Sequence, residues 1–351
     1  MRRHSSWPTM RGYYTLGSPF FFGVLPQLIF FGALVQIGYY LEIFPYVVKK
    51  VGWFLGMLLG TSASESISVA SNIVVDQSTS SLVVRPYVAT MTASELHCIM
   101  VGGFATVAGS VFGIYISFGI DPTAVLAASI MSAPAAIAIT KIALPETEES
   151  PTQCTFGNGG ENGLVFELPP SDDANVFHAA ANGAVTGMKI LINVTANLIA
   201  FLAIVAMLDA LLGYLGGLVN LELSFTIVCS YVFWPVALLM GVDVEDCLQV
   251  GAVLGYKIFA NEFVAYQQLA YTYRDQISER SYYIASYALC GFSNFASIGV
   301  QLGTLNTLAP NQSKRLAKIV LSAMIAGNTA CIMTACIAGI FYEEPGPEDK
   351  I

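Results

Sequence analysis

The sequence predicts an all-α, polytopic membrane protein built from two inverted repeats, each containing a re-entrant helical hairpin. Three observations carry that reading. Of 351 residues, 55% are hydrophobic and only 11% charged, with a mean hydropathy of +0.64; a soluble domain carries about a quarter charged residues. Several apolar blocks are long enough to cross about 30 Å of hydrocarbon, which takes roughly 20 helical residues. Two polar regions, about 60–92 and 240–280, interrupt those blocks with the same order of features. A transmembrane barrel is excluded, because its alternating segments of about ten residues are absent.

Residues 1–17 read as a polar, aromatic tail. Arg2, Arg3 and Arg11 are not followed by an apolar core and cleavage site, so the stretch does not read as a convincing signal peptide. The first repeat covers 18–144. It opens with a span at 18–44, ended by Lys49 and Lys50, then an amphipathic segment at 51–59 with Trp53 at headgroup depth. The hairpin region at about 60–92 follows, then spans at 94–119, rich in small residues, and at 121–143, kinked at Ser132-Ala-Pro134. Residues 145–183 form a polar loop whose end, Ala174–Gly183, suits an interfacial helix. The second repeat covers 184–342: an apolar span at 184–212, another block at 222–241, the hairpin region, and spans at 283–304 and 317–342. An acidic tail at 343–351 ends the chain. The basic loop of Lys314, Arg315 and Lys318 is expected in the cytoplasm and the acidic C-terminus outside.

The net charge is −9, with the fifteen basic residues scattered. No basic cluster suits nucleic acid. The seven cysteines lie mainly in apolar blocks without metal-ligand spacing, as buried thiols do.

The two interrupted regions match in layout. In each, an apolar helix ends at Gly (Gly60, Gly241), acidic residues follow (Glu65; Asp243, Glu245, Asp246), and a short apolar run meets a polar break, Asp76-Gln77-Ser78-Thr79 or Asn261-Glu262. A Glu then precedes the next helix (Glu95, Glu279), which contains Gly103-Phe-Ala-Thr-Val-Ala108 or Gly291-Phe-Ser-Asn-Phe-Ala296. Paired interrupted segments in two halves point to a secondary transporter with a midplane site. Helix ends at such breaks leave unpaired N–H and C=O groups. The positive N-termini suit substrate oxygens, and carbonyls joined by Asn, Ser or Thr oxygens suit a hard cation such as Na⁺.

Glu262 is the sharpest candidate, because a carboxylate in an apolar intramembrane setting is costly and functional by default. The alternative is an interfacial carboxylate paired with Lys257 or Arg274. Asn294 and Ser297 share a helix face, and could bind a polar solute or serve as interhelical glue. Gln77 and Ser78 sit at the first break, where capping alone would also explain them. Asn72 and Thr106 are candidate cation ligands. Arg85-Pro86 marks a hairpin exit, with Arg85 snorkelling or paired with Glu65 or Glu95. His97 is expected at the surface. Lys189, Asn193 and Asn197 recur on one helix face and either line a path or pack.

The runs Gly60-Thr-Ser62, Val84-Arg-Pro-Tyr87, Met131-Ser-Ala-Pro-Ala135, Asn261-Glu-Phe-Val-Ala-Tyr266 and Tyr287-Ala-Leu-Cys-Gly-Phe292 resemble the concentrative nucleoside transporters, over roughly residues 24–342. The resemblance implies a symporter that imports nucleosides with Na⁺, or with H⁺, as a homotrimer in the plasma membrane, with no cofactor beyond the coupling ion. It implies nucleobase binding by Gln77, Ser78 and Thr79 at the first tip, and ribose binding by Glu262, Asn294 and Ser297. Phe292 and Val111 would border the substrate. It also implies a Na⁺ site of the Asn72 and Thr106 side chains with the carbonyls of Val75 and Val107.

The family's first tip commonly reads Gly-Gln-Thr-Glu, so Asp76, Ser78 and Thr79 depart from it. Asp76, one residue after a predicted cation-ligating carbonyl, is expected to alter coupling by strengthening cation binding or introducing proton coupling. The family also has spans ahead of the helix at 18–44. The sequence is short there, as a fragment, a short gene model or an isoform would be. A relative that binds substrate or partner without transport is the alternative function. An enzyme is not expected, because the three histidines, His4, His97 and His178, lie at predicted edges or tails, and a continuous channel fits paired hairpins less well than alternating access.

Overall fold

The computed structural model describes residues 19–150, 173–218, 221 and 223–343. The predicted N-terminal tail, most of the polar loop and all but Glu343 of the acidic tail lie outside them, as do the side chains of Asn193 and Asn197. Among the described residues every regular element is helical. Among the described residues two helices, 122–143 and 310–340, are long and apolar enough to cross a bilayer, and a bent pair adds a third if it is one span.

That bent pair is α1 (Pro19–Tyr40) and α2 (Ile43–Leu59), meeting at 75°. The chain turns at Leu41-Glu42, with Glu42 in the left-handed region. The predicted stop at Lys49-Lys50 is therefore corrected: both lysines lie inside α2, on its exposed side. Val48, Gly52, Leu55 and Gly56 form the buried stripe of α2. Their spacing is that of one helix face, and it seats on α3 (Ala63–Asn72).

From there one order of elements occurs twice. Gly60 (φ 66°) leads into α3, a break at 73–76, α4 (Gln77–Val83) and the single turn α5 (Arg85–Val88). Then come α6 (Ala93–Ala105), an unwound stretch, α7 (Phe112–Ser117) and the long α8 (Pro122–Ala143). In the second half Gly241 (φ 84°) follows α10 (Phe225–Leu239) and leads into α11 (Cys247–Phe259), a break at 260–261 and α12 (Glu262–Tyr271). Then come α13 (Glu279–Leu289), an unwound stretch, α14 (Phe295–Leu308) and the long α15 (Ser313–Ile340).

The expected unbroken spans at 94–119 and 283–304 are thus each two helices. α6 stops because Thr106 and Ala108 are extended, and α14 restarts at the N-cap Asn294, whose Oδ1 accepts from the Ser297 amide at 2.9 Å. The interfacial helix expected at 174–183 and the following span are also corrected. They are one helix, α9 (Val176–Gly217), capped by Asn175 and packed along α1. Gly183 does not end α9 but lets it approach α1, since a Cβ there would meet Ala33 Cα at 2.7 Å.

The halves interlock. α14 packs on α4 and α6 of the first half. Conversely, α7 sets Tyr115 against Tyr266 and Phe263 of α12, with ring centroids 4.4 and 5.5 Å apart. α8 and α15 each contribute to both apolar cores. The unwound stretches meet where Gly291 (φ 120°) crosses the end of α6.

Each helix pair is tied at its outer end. Ser62 and Glu65 form a capping box on α3, and Thr92 and Glu95 form another on α6. Ser64 Oγ donates to Glu95 at 3.2 Å, and Lys141, at the end of α8, donates to Glu65 and to Ser94. Arg85 is exposed, so Lys141 takes the partner role offered to it. In the second half the Ser278 amide and hydroxyl donate to Asp246 and Asp243, while Arg280 reaches the Gly241 and Gly339 carbonyls. His97 is fully buried and contacts Ser322 Oγ of α15 at 3.2 Å, which corrects its expected surface position.

Candidate functional site

Both breaks are made by short polar residues acting as N-caps. Asp76 ends the first break: its Oδ1 accepts from the Ser78 and Thr79 amides (2.8 and 3.1 Å), and its Oδ2 from Thr79 Oγ1 (2.7 Å). Asn261 ends the second, its Oδ1 accepting from the Val264 amide at 2.9 Å. Local side-chain bonds of this kind compete with helix continuation, which is why these residue types stand where the helices stop. They also put Gln77-Ser78 and Glu262 in the first turns of α4 and α12.

The two tips face a common cavity of about 150 Å³. Asp76, Gln77 and Ser78 line it from the first half, Glu262 from the second, and Phe292, Asn294 and Ser297 from the unwound stretch and first turn of α14. Val111 lines it from the break after α6. Thr79 does not line it, because its hydroxyl is turned to Asp76. Glu262 is 2% exposed and accepts from Asn294 Nδ2 at 2.8 Å. It pairs with neither Lys257, whose Nζ donates to the Ala288 carbonyl at 2.8 Å, nor Arg274, which pairs with Glu279 at 2.8 Å. The interfacial alternative for Glu262 therefore fails. The cavity is thus lined by the Glu262 carboxylate with Asn294 and Ser297 from the second half, and by the Gln77 amide, the Ser78 hydroxyl and the capping carboxylate of Asp76 from the first. Such a site can take a solute that offers hydroxyl donors to one half and a planar polar edge to the other.

The four expected cation ligands lie beside the first break. Asn72 Nδ2 donates to the Ser68 carbonyl (3.1 Å), leaving the amide oxygen as the acceptor. Asn72 stands next to Gly102, where a Cβ would be 3.1 Å from Nδ2, and Thr106 Oγ1 bonds the Gly102 carbonyl at 2.9 Å. Val75 is buried in the break itself, and the Val107 carbonyl accepts only a long 3.5 Å bond from Ser129 Oγ. Ser132 Oγ, 2.9 Å from Thr106 Oγ1, joins this group. These are hard oxygen donors, as Na⁺ requires.

Ser129 and Ser132 were hidden within an apolar, Pro-containing helix. A third residue the sequence reading missed is Gln301, 1% exposed on α14, neither of whose amide atoms has a partner. It lies one turn beyond Ser297, and a Cβ at Gly103 would stand 3.0 Å from Gln77 Cβ and 3.1 Å from Gln301 Oε1. Its one available signal was the (i, i+4) spacing from Ser297. Lys189 is exposed on α9 and away from this group.

Asp76→Ala is expected to cost about 1 kcal/mol of stability through the lost cap, read as a lowered unfolding temperature. Asp76→Asn keeps the cap and removes the charge. Any change it makes in the Na⁺ or pH dependence of uptake traces to the charge.

Interrupted helix pairs, broken helices and a shared cavity holding a buried carboxylate define a polytopic helical membrane protein of the carrier class. Residues 124–339 match the family described as "Na+ dependent nucleoside transporter C-terminus", and residues 21–122 match "Nucleoside recognition". The chain belongs to the Na⁺-dependent nucleoside transporter family, whose members are integral membrane transporters rather than enzymes. It is 46% identical to sodium/nucleoside cotransporter 1 of Rattus norvegicus and 43% identical to that of Homo sapiens, over 94% of this chain and 52% of each relative. The chain thus spans about half the length of these relatives. It is also similar to the solved structure of CNTnw in an inward-facing substrate-bound state. The TM-score is 0.83 at 38% identity, over 92% of this chain and 75% of that one.

Proposed function

We propose that this chain forms the solute-binding core of a symporter that imports nucleosides with Na⁺ at the plasma membrane, assembled as a homotrimer. One observation carries the reading. The tips of two interrupted helix pairs and the restart of a broken helix converge on one cavity holding a buried carboxylate, Glu262, already oriented by Asn294. Glu262, Asn294 and Ser297 would take the ribose hydroxyls, Gln77 and Ser78 the base edge, with Phe292 and Val111 bounding the sugar and base. Thr79 would act through Asp76, its hydroxyl holding the cap. Asn72, Thr106 and the carbonyls of Val75 and Val107 would take the cation.

The test is nucleoside uptake by the full-length protein in Na⁺ and in K⁺ at several pH values. Na⁺-driven accumulation is expected, and binding without cation-driven accumulation would instead favour the non-transporting alternative. Asn72→Ala is expected to raise the Na⁺ concentration for half-maximal uptake about tenfold (about 1.4 kcal/mol).

A further inference from the structure

The second half contains a lysine where the first half has a candidate cation ligand. Counted from the cap residue of each tip, Asn72 stands four residues before Asp76, and Lys257 four before Asn261. Counted from the caps of the next helices, Thr92 and Ser278, Gly102 of α6 corresponds to Ala288 of α13. This register differs by two residues from the pairing of Gly103 with Gly291 that the sequence suggested. The structure joins the same counterparts in both halves. Asn72 lies against Gly102, and Lys257 Nζ donates to the Ala288 carbonyl at 2.8 Å.

Lys257 is 1% exposed, on a helix pair whose partner helix unwinds two residues after the carbonyl it holds. A buried ammonium is a costly residue to keep unless its charge and its donors are used. Here it is a cation fixed by a covalent stem, set between α11 and the broken helix α13. The first half sets Asn72 and Thr106 between α3 and the broken helix α6, with no cationic side chain in that group.

We propose that the Lys257 ammonium is a tethered cation. It does permanently in the second half what the coupling Na⁺ does reversibly in the first: it bridges an interrupted helix pair to the unwound end of its neighbour. This rests on the reading of Asn72 and Thr106 as cation ligands. It makes Lys257 a positioning residue for Glu262, which begins α12 just beyond the break.

The test is nucleoside binding by the full-length protein in membranes, titrated with Na⁺ at constant ionic strength. Lys257→Asn and Lys257→Met are compared with the unmodified protein. The unmodified protein is expected to give a Na⁺ Hill coefficient of about 1. Lys257→Asn, which copies the first-half residue, is expected to bind with a coefficient of about 2, since the coefficient can rise to the number of coupled sites. Lys257→Met, which keeps the stem and removes the charge, is expected to bind at least about tenfold more weakly at every Na⁺ concentration, with a buried carbonyl left unpartnered. The proposal is overturned if Lys257→Met keeps the unmodified Na⁺ curve. It is equally overturned if Lys257→Asn matches Lys257→Met or stays at a coefficient of about 1. An Asn72→Ala curve identical to that of the unmodified protein marks the separate failure of the first-half reading.

Discussion

Glu262→Ala is expected to weaken nucleoside binding by about 100-fold or more, since hydrogen bonds to a charged group contribute about 1.5–3 kcal/mol each and two hydroxyls are within the reach of one carboxylate. The loss also removes the acceptor that holds Asn294, so one substitution disorganises two members of the site. Asn294 still caps α14 through its Oδ1, which keeps the helix restart intact and confines the effect to the cavity. The measurement is a pair of affinities, for a nucleoside and for its 2′,3′-dideoxy analogue, on both proteins. The unmodified protein should discriminate strongly between them. The Glu262→Ala protein should discriminate far less, the remainder coming from Asn294 and Ser297, as a double-mutant cycle shows when the deleted groups interact directly. Equal discrimination by the two proteins would remove Glu262 from ribose recognition.

Gly291→Ala is expected to be among the most damaging glycine-to-alanine changes at the described residues. At φ 120° an alanine is strained by about 1–3 kcal/mol. Its Cβ would also stand 2.7 Å from the Phe104 carbonyl oxygen, 2.9 Å from that of Ala105 and 2.8 Å from Cys331 Sγ. Two of those neighbours are backbone and cannot rotate away, so overpacking adds a further cost of about 1–3 kcal/mol. A steep fall in the unfolding temperature of the detergent-solubilised protein is expected. Gly299→Ala on α14 is the control. Nothing lies within 4 Å of its Cβ position, and an exposed helix interior favours Ala over Gly by about 1 kcal/mol. That variant should be unchanged or slightly more stable.

These two residues mark what could and could not be read before the structure. Glu262 was legible because a carboxylate in an apolar run has few structural excuses. The two polar interruptions were legible because their caps, Asp76 and Asn261, are residue types that end helices. The breaks in α6 and α13 were not. Thr106-Val107-Ala108 is as apolar as a span, and the close approach of Gly291 to Phe104 and Ala105 where the helix ends comes from 180 and more residues along the chain. Distance along the chain hid the rest. Lys141 is 76 residues from Glu65, and nothing local indicated that it, rather than Arg85, would meet that carboxylate. His97 looked peripheral beside Glu95, yet α15, from the far end of the sequence, covers it. Gln301 is one polar residue in a mixed helix until folding turns it toward Gly103.

The bonds at the outer ends of the helix pairs have a mechanical consequence. Glu65, Glu95 and Lys141 in one half, and Asp243, Asp246 and Arg280 in the other, concentrate charge-assisted bonds at the roots. The tips are held by less: the Asn294–Glu262 bond within the second half, and a 3.3 Å bond from Thr304 to Ser78 across the halves. Each pair is therefore a cantilever, clamped at its root and lightly latched at its free end. Regions that move in function come from the low-stability end of a structure. A solute held between the tips would load the free ends while the roots stay fixed, so that any yielding would be a bend of defined direction rather than a general loosening.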